Sequence, residues 1–350
     1  MSATGTADPR ATRVGVLSFA HYHANFWSEV FAERNVLAGV WDDDAARGLD
    51  AASRFATPFR GDLDALLEDC SAVAICSETS KHPELVARAA ARGLAVLCEK
   101  PLGVSADACR RIVDTVDASG IVFMQSFPKR FDPVSHYLRD VVARDELGRI
   151  TLVRIRHGHF YGLQDDFKAR WYVDPAKSGG GALLDEGIHG ADWLAWTFGM
   201  PRDVIATISH AALGLPVEDV GVATYTWTSG MIAELTASFT FAAADASIEI
   251  YGTHGTILVS GIDLASRDVT QEGFVRRFRS GQTERRWETV ALTPRFKRGQ
   301  FHEQNALAFL ESLAQGAPPP ITVHDGERAF RMIAAAYASA RSGRRQAIDP

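Results

Sequence analysis

Five short, almost wholly apolar runs constrain this chain most: Arg13–Leu17, Val36–Trp41, Ala72–Cys76, Leu94–Cys98 and Ile121–Met124. Between them the apolar residues recur at helical spacing, as in Phe26, Val30 and Phe31, or Leu63, Leu66 and Leu67. A strand that is apolar throughout has no solvent-facing side. Such strands, alternating with helices, build a parallel sheet covered on both faces. Pro83 opens one of the helices and Gly93 stops it, while Ser105 N-caps the next. Residues 13–125 are therefore expected to form a doubly wound α/β domain. Residues 1–12, rich in Ala, Thr, Ser and Gly, are expected to be a flexible tail.

The pattern then changes. Asp132-Pro133 starts a helix carrying Val134, Tyr137, Leu138, Val141 and Val142. Alternating stretches follow at Ile150–His159, Val204–Ser209, Val220–Thr228, Met231–Phe241, Ser247–Gly252 and Thr256–Val259, with a hairpin turn at Gly230. One helix, Leu183–Phe198, interrupts them, and Phe301–Ala314 and Gly326–Ser342 read as closing helices. Residues 126–350 thus predict an α+β domain on a mostly antiparallel open sheet. Ile232, Leu235 and Phe239 are expected on an exposed face covered by another subunit, giving a homodimer or homotetramer.

Charge and composition exclude several classes. With 37 basic and 43 acidic residues the net charge is −6, so no basic field exists to hold nucleic acid. No apolar run reaches the ~20 residues that span a bilayer. The first residues lack an apolar signal core, so export is not expected. Cys70, Cys76, Cys98 and Cys109 show no CxxC spacing and read as reduced, mostly buried thiols of a cytoplasmic protein.

A strand, a short loop and a helix, with an acid about 20 residues on, is the shape of a dinucleotide site. Asp42 ends the second strand, where a carboxylate binds adenosine ribose hydroxyls and repels the 2′-phosphate of NADP, so NAD is favoured. The three loop glycines are missing. Ser18, Ala20 and His23 stand in their places. Ala20 is small enough for a pyrophosphate to approach, Ser18 can donate a hydrogen bond, and His21 or His23 either touches the cofactor or packs. His21-x-His23 has no acidic or Cys cluster near it in sequence to complete a metal site, so no metal is expected.

Two segments carry chemistry. Lys100, in Glu99-Lys100-Pro101, follows a strand of the first domain, at the carboxyl end where open α/β sheets bind ligands. Gly179-Gly-Gly181 is expected to let backbone pass close to a ligand. It leads into a helix on which Asp185 and His189 are i, i+4 and share a face, a carboxylate–imidazole pair suited to general base work. Asp192 is a second partner for His189 or a structural cap. Trp171, Tyr172, Trp193 and Trp196 could offer flat faces to a sugar ring or belong to the core. Tyr161, Lys168 and Arg170 are candidates for hydroxyl or anion contacts. Arg276, Arg277, Arg279, Arg285, Arg286 and Arg295 form either a solvated edge or a site for an acidic sugar or partner subunit.

These motifs together resemble the glucose–fructose oxidoreductase, inositol dehydrogenase and rhizopine-catabolism (Gfo/Idh/MocA) family. The resemblance includes His82, Glu99-Lys100-Pro101, Lys129-Arg130-Phe131-Asp132-Pro133, Gly179–Trp196, Glu249–Thr256 and Ala334–Arg341, in the same order and spacing. It implies a Rossmann dinucleotide-binding domain and NAD(P)-dependent oxidation of a sugar, sugar-acid or cyclitol hydroxyl, or the reverse. It assigns Lys100, Asp185 and His189 to catalysis. Cofactor contacts are then expected from Ser18, Phe19, Ala20, His21, His23, Asp42, Ser77, Glu78, His82, Glu99 and Lys100. Glu78 departs from the family's usual proline. Substrate contacts are expected from Lys100, Tyr161, Arg170, Trp171, Asp185 and His189. Two alternatives stay open: a redox-neutral enzyme with tightly held NAD, catalysing glycoside cleavage or epimerisation, and a non-catalytic dinucleotide-binding regulator.

Overall fold

The computed structural model describes residues 12–243, 246–262, 274–281, 286–292 and 300–349. The expected tail, except Thr12, lies outside these, as do Arg285 and Arg295.

The first domain alternates β1 (Val14–Leu17), α1 (Ala24–Glu33), β2 (Leu37–Trp41), α2 (Ala45–Arg54), α3 (Leu63–Glu68), β3 (Ala72–Ile75), α4 (His82–Ala90), β4 (Ala95–Cys98), α5 (Ala106–Ser119) and β5 (Phe123–Gln125). All its strand pairs are parallel, in the order β2-β1-β3-β4-β5. β1, β3 and β4 are buried along their whole length, as their unbroken apolar runs require. The strand order runs outward in opposite directions from β1 and β3, and the crevice at their carboxyl ends is where ligands bind such sheets. Asp44, Asp62 and Ser105 cap α2, α3 and α5 by accepting from backbone N–H groups.

The chain then forms α6 (Pro133–Ala143), β6 (Ile150–Gly158), α7 (Pro175–Ser178), α8 (Ala182–Asp185), α9 (Gly187–Phe198), β7 (Asp203–Ser209), β8 (Val220–Thr226), β9 (Ile232–Ser238), β10 (Ala246–Gly252), β11 (Gly255–Ile262), β12 (Val275–Arg279), β13 (Glu288–Val290), α10 (Gln300–Gln315), α11 (Val323–Ser342) and β14 (Gln346–Ala347). Among the described residues nine strands form one sheet, β13-β12-β11-β10-β6-β9-β8-β7-β14, antiparallel except for β6 beside β9. α11 packs on α9 and β7 of this sheet and also on α5 of the first domain, and α10 packs on α1, so the closing helices bridge both sheets. Among the described residues no helix is long and apolar enough to cross a membrane.

Two expectations need correction. Leu183–Phe198 is not one helix: the His189 amide donates to the Glu186 carbonyl, three residues back, and the ladder breaks between α8 and α9. Leu235 and Phe239 are fully buried, while Ile232 is 42% exposed. Strand side chains alternate, so residues three apart take opposite faces; Leu235 lies so close to Gly190 of α9 that a Cβ there would strike it. The outer face instead carries Ile205, Val222 and Ile232. Of the basic stretch, Arg276, Arg277 and Arg279 lie on β12, and among the described residues neither these nor Arg286 lines the cleft described below. Arg277 Nη2 donates to Glu146 at 2.6 Å, Arg279 pairs with Glu288, and Arg276 covers Trp287. The four cysteines are free, three of them buried.

Candidate active site

A cleft opens where the first sheet's carboxyl edge meets the second sheet. Its walls enclose about 950 Å³, open mouth included. The first domain contributes His21, Tyr22, His23 and Lys100; the crossover contributes Lys129; the end of β6 contributes His157 and His159; and Asp185, Glu186 and His189 complete the wall. Tyr161, Arg170 and Tyr172 line it, as does His302 of α10.

Lys100 joins the two domains in the cleft. Its Nζ donates to Asp185 Oδ1 at 2.6 Å and to the Asp185 carbonyl at 2.9 Å, across the domain boundary. Burial alone would push this ammonium towards neutrality, but Asp185, Glu186 and Glu99 together outweigh it and hold its pKa above the ordinary lysine value. Burial lifts the Asp185 carboxyl above its usual range, against the opposing pull of Lys100. The expected orientation of His189 by Asp185 is therefore not what the structure shows. The break at Glu186 takes them off a common helical face, and the Asp185 carboxylate is committed to Lys100. Asp192 is not a partner of His189 either: it accepts from Arg130 Nε and Nη2.

His189 instead sits beside His157, ring centroids 4.9 Å apart, with the edge of Phe127 nearby. Its Nδ1 is buried and makes no hydrogen bond among the described residues. Burial, then Lys100 and His157, hold its pKa well below the ordinary histidine value. It is neutral at pH 7 and able to accept a proton.

Sequence reasoning missed Glu186, His157 and His159. His157 Nδ1 lies 2.9 Å and His159 Nε2 3.6 Å from the Glu186 carboxylate. Burial raises Glu186, but His159, His157 and Lys100 outweigh it and keep the carboxyl well below its usual range. Burial, then Lys129, lowers His157 to about 4. The available signal was His-x-His at the end of a strand, which puts both rings on one face.

The loop after β1 takes the turn that glycine usually provides. Ser18 has φ 72°, and its Oγ accepts from Ala20 N at 3.1 Å. Phe19 stacks on Phe55. Asp42 is at the expected place but is not a free carboxylate. It is 3% exposed, accepts from Phe19 N at 2.7 Å and Asp44 N at 2.9 Å, and receives Arg47 Nε and Nη2 at 2.8 and 2.7 Å. Discrimination between NAD and NADP therefore cannot rest on a bare negative charge there. Glu78 is bound by Lys81 Nζ at 2.7 Å, and Ser77 Oγ donates to the Glu78 carbonyl. His82 Nδ1 lies 3.1 Å from the Pro101 carbonyl, so it braces the segment after Lys100 and does not line the cleft.

Other expectations also change. Trp171 is not in the cleft wall; its Nε1 donates to the Ala20 carbonyl at 3.0 Å and ties the second domain to the loop. Tyr172, stacked on it, faces the cleft. Trp193 is core, and Trp196 packs against Arg130 and Arg139. Lys168 is exposed, outside the wall. The glycine run serves packing rather than a ligand: Cβ atoms there would meet Val104 at Gly179, Tyr337 at Gly180 and the Glu218 backbone at Gly181. Glu99 is fully buried beside His23, with Nδ1 3.2 Å from Oε2. The acid that the sequence lacked near His21 and His23 thus arrives from the end of β4.

A dinucleotide fits this edge. The N-terminus of α1 has no side-chain cap, leaving the kind of anion slot that helix N-termini offer. Phe19 N is committed to Asp42 and His21 N to the Cys76 carbonyl. Ala20 N donates to Ser18 Oγ at 3.1 Å and His23 N to His21 Nδ1 at 3.3 Å, side-chain partners that a phosphate can replace.

Comparison with known proteins agrees with this architecture. Residues 11–127 match the oxidoreductase family with an NAD-binding Rossmann fold, and residues 135–258 match the GFO/IDH/MocA C-terminal domain. The chain is 24% identical over 301 residues to the uncharacterized oxidoreductase YrbE of Bacillus subtilis, covering 80% of this chain and 79% of that protein. It is 32% identical over 200 residues to D-xylose 1-dehydrogenase (NADP(+)) 2 of Haloferax volcanii, covering 56% and 60%. It spans about half the length of other curated relatives, such as the rhizopine catabolism protein MocA of Rhizobium meliloti, at 30% identity over 47% of this chain and 49% of that one. Levoglucosan dehydrogenase in complex with NADH superposes with a TM-score of 0.84 at 20% identity, covering 97% of this chain and 99% of that one, a likeness of fold. This chain belongs to the Gfo/Idh/MocA family of oxidoreductases, with an NAD-binding Rossmann fold as its first domain.

Proposed function

We propose that this protein uses NAD to oxidise a secondary hydroxyl of a sugar, sugar acid or cyclitol to the ketone, or to reduce the ketone. One observation carries the reading: a cationic lysine and a neutral, buried histidine share one cleft at the carboxyl edge of the parallel sheet. Relatives with sugar and reductase names, the xylose dehydrogenase and the 1,5-anhydro-D-fructose reductase of Ensifer adhaerens, support a carbohydrate substrate.

The dinucleotide, when bound, supplies the hydride acceptor. Ser18, Ala20 and the first turn of α1 would hold its phosphates, and Asp42 with Arg47 would meet its adenosine end. The chain's own groups manage the proton and the charge. His189, neutral at pH 7, accepts the hydroxyl proton. Lys100 stabilises the oxyanion that forms; such preorganised groups are commonly worth ~3–4 kcal/mol each. Asp185 keeps Lys100 charged and in place. Tyr161, Arg170 and Tyr172 are within the cleft wall to contact the remaining hydroxyls.

Ile205, Val222 and Ile232, on the outer face of the second sheet, support self-association through that face. Light scattering would report a dimer or tetramer, and charged substitutions there would yield the monomer.

A panel of sugars, sugar acids and cyclitols with NAD, read at the reduced-nicotinamide absorbance, tests the reaction. At least one polyol should give turnover that His189→Ala and Lys100→Ala lose in kcat. Product formation without net reduction of NAD would select the redox-neutral alternative. No turnover of any kind, or unchanged turnover in both variants, would refute the reading.

A further inference from the structure

We infer that His21, His23 and Glu99 form a divalent-metal site of the zinc type on the first-domain wall of the cleft. The three residues come from two loops pinned to the carboxyl end of β3. The His21 amide donates to the Cys76 carbonyl at 2.9 Å, and the Glu99 amide to the Ile75 carbonyl at 3.0 Å. Their ligand atoms lie within 4.8 Å of one another.

Glu99 carries the inference. It is fully buried, and neither carboxylate oxygen accepts a hydrogen bond among the described residues. A lone buried carboxylate costs several kcal/mol unless a cation compensates it. The His23 ring stands 3.2 Å from Oε2, and it is charged only when protonated. Two imidazoles and one carboxylate are the donor set that zinc and its first-row neighbours take.

The geometry is close to what a metal needs. Bonds of ~2.0–2.1 Å in a tetrahedron place ligand atoms about 3.3–3.4 Å apart. His23 Nδ1 and Glu99 Oε2 already stand at 3.2 Å. Three protein ligands leave a fourth position, as catalytic sites do. His21 and His23 line the cleft, so that position takes water or a substrate oxygen. A second grouping, His159, Asp185 and Glu186, is less suited. Its Asp185 Oδ1 is already taken by the Lys100 ammonium at 2.6 Å, whereas neither Glu99 oxygen accepts a hydrogen bond among the described residues.

The test is independent of substrate and redox activity. Tag-free protein, stripped with a chelator, is titrated with Co²⁺ and followed by its visible ligand-field absorption, then challenged with Zn²⁺. The expected result is one Co²⁺ per chain, displaced by Zn²⁺. Glu99→Gln should weaken binding at least about a hundredfold, since loss of an outer-shell partner alone already costs 10–100-fold. Glu186→Gln should leave binding unchanged. Circular dichroism checks folding, and if Glu99→Gln does not fold, His21→Asn decides by the same loss. Absence of a ligand-field band in the wild type, undiminished binding in the folded Glu99 or His21 variant, or loss in Glu186→Gln would each overturn the site.

Discussion

Asp185→Asn isolates the charge that holds Lys100. The amide keeps the shape and one acceptor oxygen, and the backbone carbonyl at 2.9 Å is untouched, so geometry survives while the carboxylate charge is lost. Loss of one preorganised electrostatic group costs ~2.7–4 kcal/mol of transition-state stabilisation. The lower end applies because the Asp185 side chain is 15% exposed and Glu186 and Glu99 still act on Lys100. A loss of about 3 kcal/mol is a little over a hundredfold in rate. The loss should fall on kcat/KM for the alcohol and leave KM for NAD nearly unchanged. Burial is the largest influence on Lys100 and opposes its charge, so without Asp185 its pKa falls. Activity then disappears first on the alkaline side, where the ammonium deprotonates. Initial rates of reduced-nicotinamide formation across neutral and alkaline pH measure both effects. A variant with wild-type kcat/KM and an unchanged alkaline limb would refute this role for the pair.

Further expectations concern pH, cofactor choice and stability. His189 must be neutral to accept a proton, and its pKa is lowered; the acid limb of kcat/KM should therefore lie below the ordinary histidine value of ~6.5, and a limb at or above that value would contradict the assignment. Arg47→Ala leaves Asp42 without its cation. A charge-assisted hydrogen bond is worth ~1.5–3 kcal/mol, so KM for NADP should rise at least about tenfold relative to KM for NAD; an unchanged ratio would place the 2′-position elsewhere. Arg130, 7% exposed, joins Asp192 and Asp325, so Arg130→Met should lower the unfolding free energy by ~3–5 kcal/mol in urea titration. Arg328→Ala, which removes an exposed partner of the same Asp325, should change it by less than ~1 kcal/mol; equal losses would show that burial does not set the scale.

The first domain was legible because β1, β3 and β4 are buried on both faces and write that as unbroken apolar runs. Strands β12 to β14 were not. They are short, with β13 and β14 at the two edges of the sheet, and β12 is mostly arginine, with Arg277 buried where Glu146 meets it from 131 residues away. Lys100, Asp185 and His189 do share one cleft, but their connections could not be read from spacing. The i, i+4 relation of Asp185 to His189 assumed one helix, and the break at Glu186 gave each a different neighbour. Asp42 was located correctly, yet Arg47, five residues on, was not seen to occupy it. Glu186 and Glu99 were opaque as partners because their histidines arrive from other strands and loops.

A crystal structure of the protein with NAD and a polyol that it turns over tests the central claim most directly. The account predicts the reacting hydroxyl within ~2.6–3.2 Å of both the Lys100 ammonium and the His189 ring, with the nicotinamide against that carbon. A dinucleotide bound with its nicotinamide outside this cleft, or a hydroxyl that meets neither side chain, would contradict it.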